Sequence, residues 1–116
     1  MIGSSRAIRV WAWPYPVDLR RSYNGLHALV RKALGKDPMS GELFLFVNRR
    51  RTSAKVFHFD GTGLCIYMKR LSQHRFCPLW REHTDGAIEL TAPELQLFLE
   101  GCRQLAYESL SPSPIY

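Results

Sequence analysis

The chain has 116 residues, with 16 Lys+Arg against 10 Asp+Glu and a formal net charge of +6. That length accommodates one compact domain, and 46% hydrophobic with 12% aromatic residues argues against disorder. The longest apolar run, Leu43 to Val47, is far short of the ~20 residues a membrane-spanning helix needs, and no apolar stretch follows Arg6 and Arg9 as a signal peptide requires. Three cysteines, Cys65, Cys77 and Cys102, include no C-x-x-C pair and fit reduced thiols in a cytoplasm better than a secreted disulfide framework. The expectation is a soluble, basic, intracellular domain.

In chain order, residues 8–12 alternate as a short strand does, and Trp13-Pro14-Tyr15-Pro16 ends it. Between Ser22 and Leu34, Tyr23, Leu26, Leu29, Val30, Ala33 and Leu34 recur at helical spacing. Asp18 or Ser22 could cap that helix, and Gly35 suits its C-terminal left-handed position. Three strands follow: residues 43–47, 55–59 and 64–68, the last two joined by the Asp60-Gly61-Thr62-Gly63 turn. An antiparallel meander is the economical arrangement. Shorter edge strands are expected at 73–77 and 87–90.

Thr91-Ala92-Pro93-Glu94 is a capping box, starting a helix whose Leu95, Phe98, Leu99 and Cys102 share one face. Residues 106–116 read as a flexible Ser/Pro-rich tail beyond a domain at 1–105. The fold class expected is α+β: a single domain with an antiparallel sheet of about four to six strands packed against two helices.

The charge is unevenly placed. Residues 1–81 hold 15 Lys+Arg and four carboxylates, whereas residues 82–116 hold Arg103 and six carboxylates. A basic body suggests a polyanionic partner, most simply nucleic acid. The turn Asn48-Arg49-Arg50-Arg51-Thr52-Ser53-Ala54-Lys55 carries three consecutive arginines, which are expected to project into solvent. Guanidinium groups pair bidentately with phosphate oxygens, so the candidate nucleic-acid contacts are Arg49, Arg50, Arg51 and Lys55. Lys69, Arg70, Arg20 and Arg21 extend the track. Such a turn can equally be a solvated charged hairpin. Phe57, Phe59, Tyr67 and Phe76 interleave with the charges as stacking platforms do, although Phe57 and Phe59 read more naturally as core.

Catalytic readings have less support. Asp18, Asp37, Asp60 and Asp85 could form a metal-dependent nuclease site if at least two converged on one ion, but each sits where turn chemistry explains it. His74, Cys77 and His83, with Cys65, lack zinc-finger spacing. Cys65 and Cys102 are most simply core thiols. No phosphate-binding loop, nucleophile elbow or H-E-x-x-H helix occurs.

Three stretches carry a resemblance. Asp37-Pro38-Met39-Ser40-Gly41-Glu42-Leu43-Phe44-Leu45-Phe46-Val47-Asn48-Arg49-Arg50 resembles a D-P-x-S-G-x-L-F-x-F-x-x-R-R signature. Asp18 to Leu26 is similar to D-x-R-K-[GS]-[FY]-[DN]-G-L, and Asp60-Gly61-Thr62-Gly63-Leu64-Cys65 with Lys69-Arg70-Leu71 completes the pattern. These are the motifs of the Orf2-like, or TnpB, accessory proteins of insertion sequence 66 transposons, a family distinct from the RNA-guided nuclease also named TnpB. The match spans roughly residues 5–101, with departures at Phe57-His58-Phe59, at Ser72-Gln73-His74 and beyond Cys102.

The resemblance implies a bacterial, cytoplasmic, nucleoid-associated, non-enzymatic factor in transposition, without a cofactor, whose partners are transposon-end DNA and the element's transposase. The alternative is a protein-interaction module that docks on the transposase without touching DNA, through an apolar patch near Trp11, Trp13, Tyr15 and Trp80.

Overall fold

The computed structural model describes residues 8–79 and 86–102. Asp85, His83, Trp80 and the expected tail at 106–116 lie outside the described residues. Five strands among the described residues form one sheet: β1 (Val10–Ala12), β2 (Leu43–Val47), β3 (Ser53–Phe59), β4 (Leu64–Arg70) and β5 (Ile88–Leu90). Two helices accompany them, α1 (Tyr23–Leu29) and α2 (Ala92–Leu99). The α+β class and the β2-β3-β4 meander are as expected.

The sheet order is β4-β3-β2-β1-β5. β1 runs parallel to β2, with Trp11 opposite Phe44, while every other pairing is antiparallel. This departs from the all-antiparallel expectation. A parallel pair needs a long crossover, and α1 supplies it. The shorter strand expected at 73–77 is absent; Arg75 makes an isolated bridge to Cys102 instead.

Alternation along the strands separates two apolar layers. Phe44, Phe46 and Phe57, all fully buried, face Leu26, Val30 and Leu34 of the α1 side. Leu45, Val47, Ala54 and Val56 face Phe76 and Leu95 on the α2 side. Each helix therefore covers one face, and β2 is buried on both, which accounts for its unbroken apolar run. Each buried phenylalanine contributes about 1.5–3 kcal/mol relative to exposure.

Gly35 ends the first helical segment with φ 67°, the left-handed cap its position suggests. Before it, the last turn, Val30–Leu34, widens into a π-helix. Ser22 sits at the N-cap without a side-chain capping bond. At α2 the capping box forms in full: the Glu94 amide donates to Thr91 Oγ1 at 3.1 Å and the Thr91 amide to Glu94 Oε1 at 2.8 Å.

The cysteines correct the expectation of reduced thiols. Cys77 and Cys102 form a disulfide, with their Cα atoms 4.9 Å apart. Spacing hid the pair because its members approach only when the chain after β4 folds back on the end of α2. Phe76 stacks on Phe98 there, with ring centroids 5.2 Å apart. Cys65 stays free. Its partial burial and the neighbouring Asp60 carboxylate push its pKa up, keeping the thiol protonated.

Candidate nucleic-acid interface

The β2–β3 turn is organised by Asn48, whose role sequence reasoning missed. Its Oδ1 accepts from the Thr52 and Ser53 amides at 2.9 and 3.1 Å, and its Nδ2 donates to Thr52 Oγ1 at 3.0 Å. An Asn directly after an apolar strand is the available signal, since its side chain closes turns on neighbouring backbone. Arg49 and Arg50 are left exposed and make no hydrogen bond or ion pair among the described residues.

Arg51 differs from its neighbours and corrects the expectation that all three arginines project outward. It adopts φ 61° and is half-buried. Its carbonyl accepts from the Phe76 amide at 2.7 Å, and its Nη1 donates to the Phe76 carbonyl at 3.0 Å. The left-handed backbone turns this guanidinium back toward the protein, where it anchors the segment after β4.

Two lysines are also engaged internally, by one device. Lys55 is 8% exposed, and its Nζ donates to the Arg21 carbonyl at 2.6 Å, linking β3 to the segment entering α1. Lys69, on the other face, donates to the Leu99 carbonyl at 2.7 Å in the last turn of α2. A cation suits that position because terminal helix carbonyls lack partners and carry partial negative charge. Both lysines are struts from the sheet to the helix that covers their own face.

Five of the eight candidate cations remain exposed: Arg20, Arg21, Arg49, Arg50 and Arg70. Arg20, Arg49 and Arg50 line one open cleft of about 880 Å³ with Asp18, Asn48, Ser53 and Met68. Arg70 is the cross-strand partner of Ser53 in that cleft, and Arg21 adjoins Arg20. Gly25 leaves room for the Arg21 stem: a Cβ there would lie 3.0 Å from Arg21 Cβ. Arg20 is fixed by Asp18, to which its Nη2 donates at 2.7 Å. The same side-chain and backbone hydrogen bonds from Arg20 hold the Asp18 carboxyl well down, at about 2.

The other chemical candidates do not assemble. The Asp37 carboxylate accepts the Met39 amide, and Asp60 accepts the amides of Thr62 and Gly63, as turn residues do. No metal-binding group of three His, Cys, Asp or Glu occurs among the described residues. Phe57 and Phe76 are fully buried, which removes them as stacking platforms, whereas Tyr67 is 53% exposed.

Trp11 and Trp13 pack against the α1-side core. Lys36 Nζ stands 3.7 Å over the Trp11 ring, and the indole NH donates to Glu42 at 3.1 Å, so this part of the expected apolar patch is covered. No helix among the described residues is long and apolar enough to cross a membrane.

A family model described as IS66 Orf2 like protein matches residues 8–108. The chain is similar to two uncharacterized proteins of Sinorhizobium fredii. It is 37% identical to y4jC over 101 residues, covering 87% of this chain and 85% of that protein. It is 34% identical to y4hO over 101 residues, covering 87% of this chain and 86% of that protein. No solved structure matches. The chain therefore belongs to the IS66 Orf2-like family of transposition-associated accessory proteins.

Proposed function

We propose that this protein is a non-enzymatic, nucleoid-associated accessory factor that binds transposon-end DNA and assists the element's transposase there. The observation that carries the reading is the convergence of Arg20, Arg49 and Arg50 on one cleft, with Arg21 and Arg70 beside it. Guanidinium groups grip phosphates and thereby position a protein on DNA without reading its sequence. Arg51, Lys55 and Lys69 are left out of the proposed contact set because each is buried or half-buried and holds a backbone carbonyl within the fold.

Five phosphate contacts correspond to a slope of about −4.5 in log affinity against log salt. The test is a gel-shift titration of element-end duplex at several salt concentrations, comparing the wild type with Arg49→Ala/Arg50→Ala. The double variant is expected to bind more weakly at low salt, with a slope shallower by about 2. Unchanged affinity and slope would overturn the assignment.

A second reading, docking on the transposase without DNA contact, is favoured by the groove where exposed Tyr67 meets Ala92, Leu95 and Leu99 of α2. Co-purification with the transposase at high salt, lost in Tyr67→Ser, would support it, because apolar contacts survive screening.

A further inference from the structure

The cleft holds a feature that a merely solvated basic turn does not require. Ser53 is its buried polar lining residue, only 6% exposed. The Ser53 backbone is satisfied: its amide donates to Asn48 Oδ1, and its carbonyl accepts from the Asn48 amide. Its hydroxyl makes no hydrogen bond among the described residues and is reached by solvent from the cleft, since His58 Nδ1 is the fully buried side-chain atom left unpaired among them. A solvent-reached hydroxyl with no protein partner, in a cleft lined with arginines, is free to donate to an oxygen-rich ligand.

The walls reinforce this. Val17 and Leu19, 8% and 9% exposed, line the same cleft. Three guanidinium groups and the Asp18 carboxylate leave a net charge of +2, which attracts a phosphodiester monoanion or a terminal phosphate alike. Asp18 opposes an anion by its charge, but it spends that charge on Arg20 at 2.7 Å and fixes the direction of that fork. The volume of about 880 Å³ falls within the range of sites for nucleotide-sized ligands.

We propose that the cleft is a phosphoryl-binding pocket that seats one phosphate of a nucleic-acid strand, with Ser53 Oγ donating from within and Arg20, Arg49 and Arg50 closing around it. The proposal rests on the nucleic-acid reading and deepens it, replacing diffuse attraction along a basic surface with one discrete seat. A hydroxyl donor to a charged oxygen makes a stronger bond than a neutral pair does, so its loss weakens binding about tenfold or more.

The test is a titration of the full-length, isotopically labelled protein followed by backbone amide NMR shifts. Inorganic phosphate is the first probe, followed by a short oligonucleotide bearing either a 5′-phosphate or a 5′-hydroxyl. The expected result is saturable shifts confined to Arg20, Arg49, Arg50 and Ser53, with affinity reduced about tenfold or more in Ser53→Ala at an unchanged thermal midpoint. A preference for the 5′-phosphorylated strand assigns the seat to a strand end, and equal affinities assign it to the backbone; either keeps the pocket. If Ser53→Ala fails to fold, Arg49→Gln/Arg50→Gln replaces it, with the same loss expected.

Shifts scattered over Arg31, Lys32 and Arg75, or Ser53→Ala binding as the wild type does, would overturn the pocket. An acidic peptide shifting the four amides at lower concentration than phosphate would also overturn it. The gel-shift result with Arg49→Ala/Arg50→Ala is independent, so the pocket can fail while the wider DNA-binding reading stands.

Discussion

Lys55 separates two kinds of basic residue, and its replacement by methionine tests the distinction directly. The side chain is 8% exposed, and its Nζ donates to the Arg21 carbonyl at 2.6 Å. Methionine keeps the unbranched stem and removes the ammonium. A hydrogen bond involving a charged group stabilises by about 1.5–3 kcal/mol, and the Arg21 carbonyl would lose its partner. Removing a buried charge offsets part of that loss. The net destabilisation expected is about 1–2 kcal/mol, or roughly 5–10 °C in thermal midpoint for a domain of this size.

Thermal unfolding followed by circular dichroism measures the first quantity, and the salt dependence of DNA binding measures the second. Lys55→Met should lower the midpoint and leave the salt slope unchanged, because the wild-type ammonium is not available to a phosphate. An unchanged midpoint with a slope shallower by about 1 would refute the strut and return Lys55 to the DNA-contacting set.

The disulfide closes a segment with a sequence separation of 25, so Cys77→Ser/Cys102→Ser should cost about 3 kcal/mol in urea unfolding. A wild-type midpoint indifferent to reductant would contradict the bond. Thr91→Ala removes one half of the capping box and should lower stability by about 1 kcal/mol in the same assay, with Thr91→Ser largely restoring it. Asp18 and Asp60, both held at about 2 when folded, give a sign for acid unfolding. A lowered folded value contributes stability above the unfolded value near 4, lost as pH falls from about 4 toward 2. Acid titration of Asp18→Asn and Asp60→Asn should therefore show a shallower loss across that window, whereas Asp18→Asn should leave the shape of the pH dependence of DNA affinity between pH 5 and 8 as in the wild type, because the Asp18 charge does not change there.

Much of the fold was legible because its signals are local. The Thr91 capping box, the Gly35 cap and the Asp60–Gly63 turn are each decided within a few residues of backbone chemistry, and each stands where the spacing places it. The parallel placement of β1 was not legible, since a three-residue strand is too short to advertise its partner, and Val10 pairs with Leu43 and with Leu90 at once. The Cys77–Cys102 bond was hidden for the same reason: its two halves meet only through the tertiary path. At the candidate site, the basic stretch was visible in the residues, but which cations it leaves free was not. Arg49 and Arg51 look alike in sequence; φ 61° at Arg51 and the Phe76 backbone make them different.

The sheet also explains why a net charge of only +6 can act as a concentrated basic surface. α1 and α2 cover opposite faces, so Arg20 and Arg21, which lead into α1, lie on one side, while Glu94 and Glu100 of the α2 segment lie on the other. Glu94 is engaged in the capping box, and Glu100 lines a separate cleft with Lys69 and Arg70. The α2 carboxylates therefore lower the net charge without lining the cleft of Arg20, Arg49 and Arg50. Had α2 packed beside α1 on the same face, its carboxylates would compete with phosphate for Arg49 and Arg50. The topology that buries β2 on both faces is the same one that keeps those arginines free.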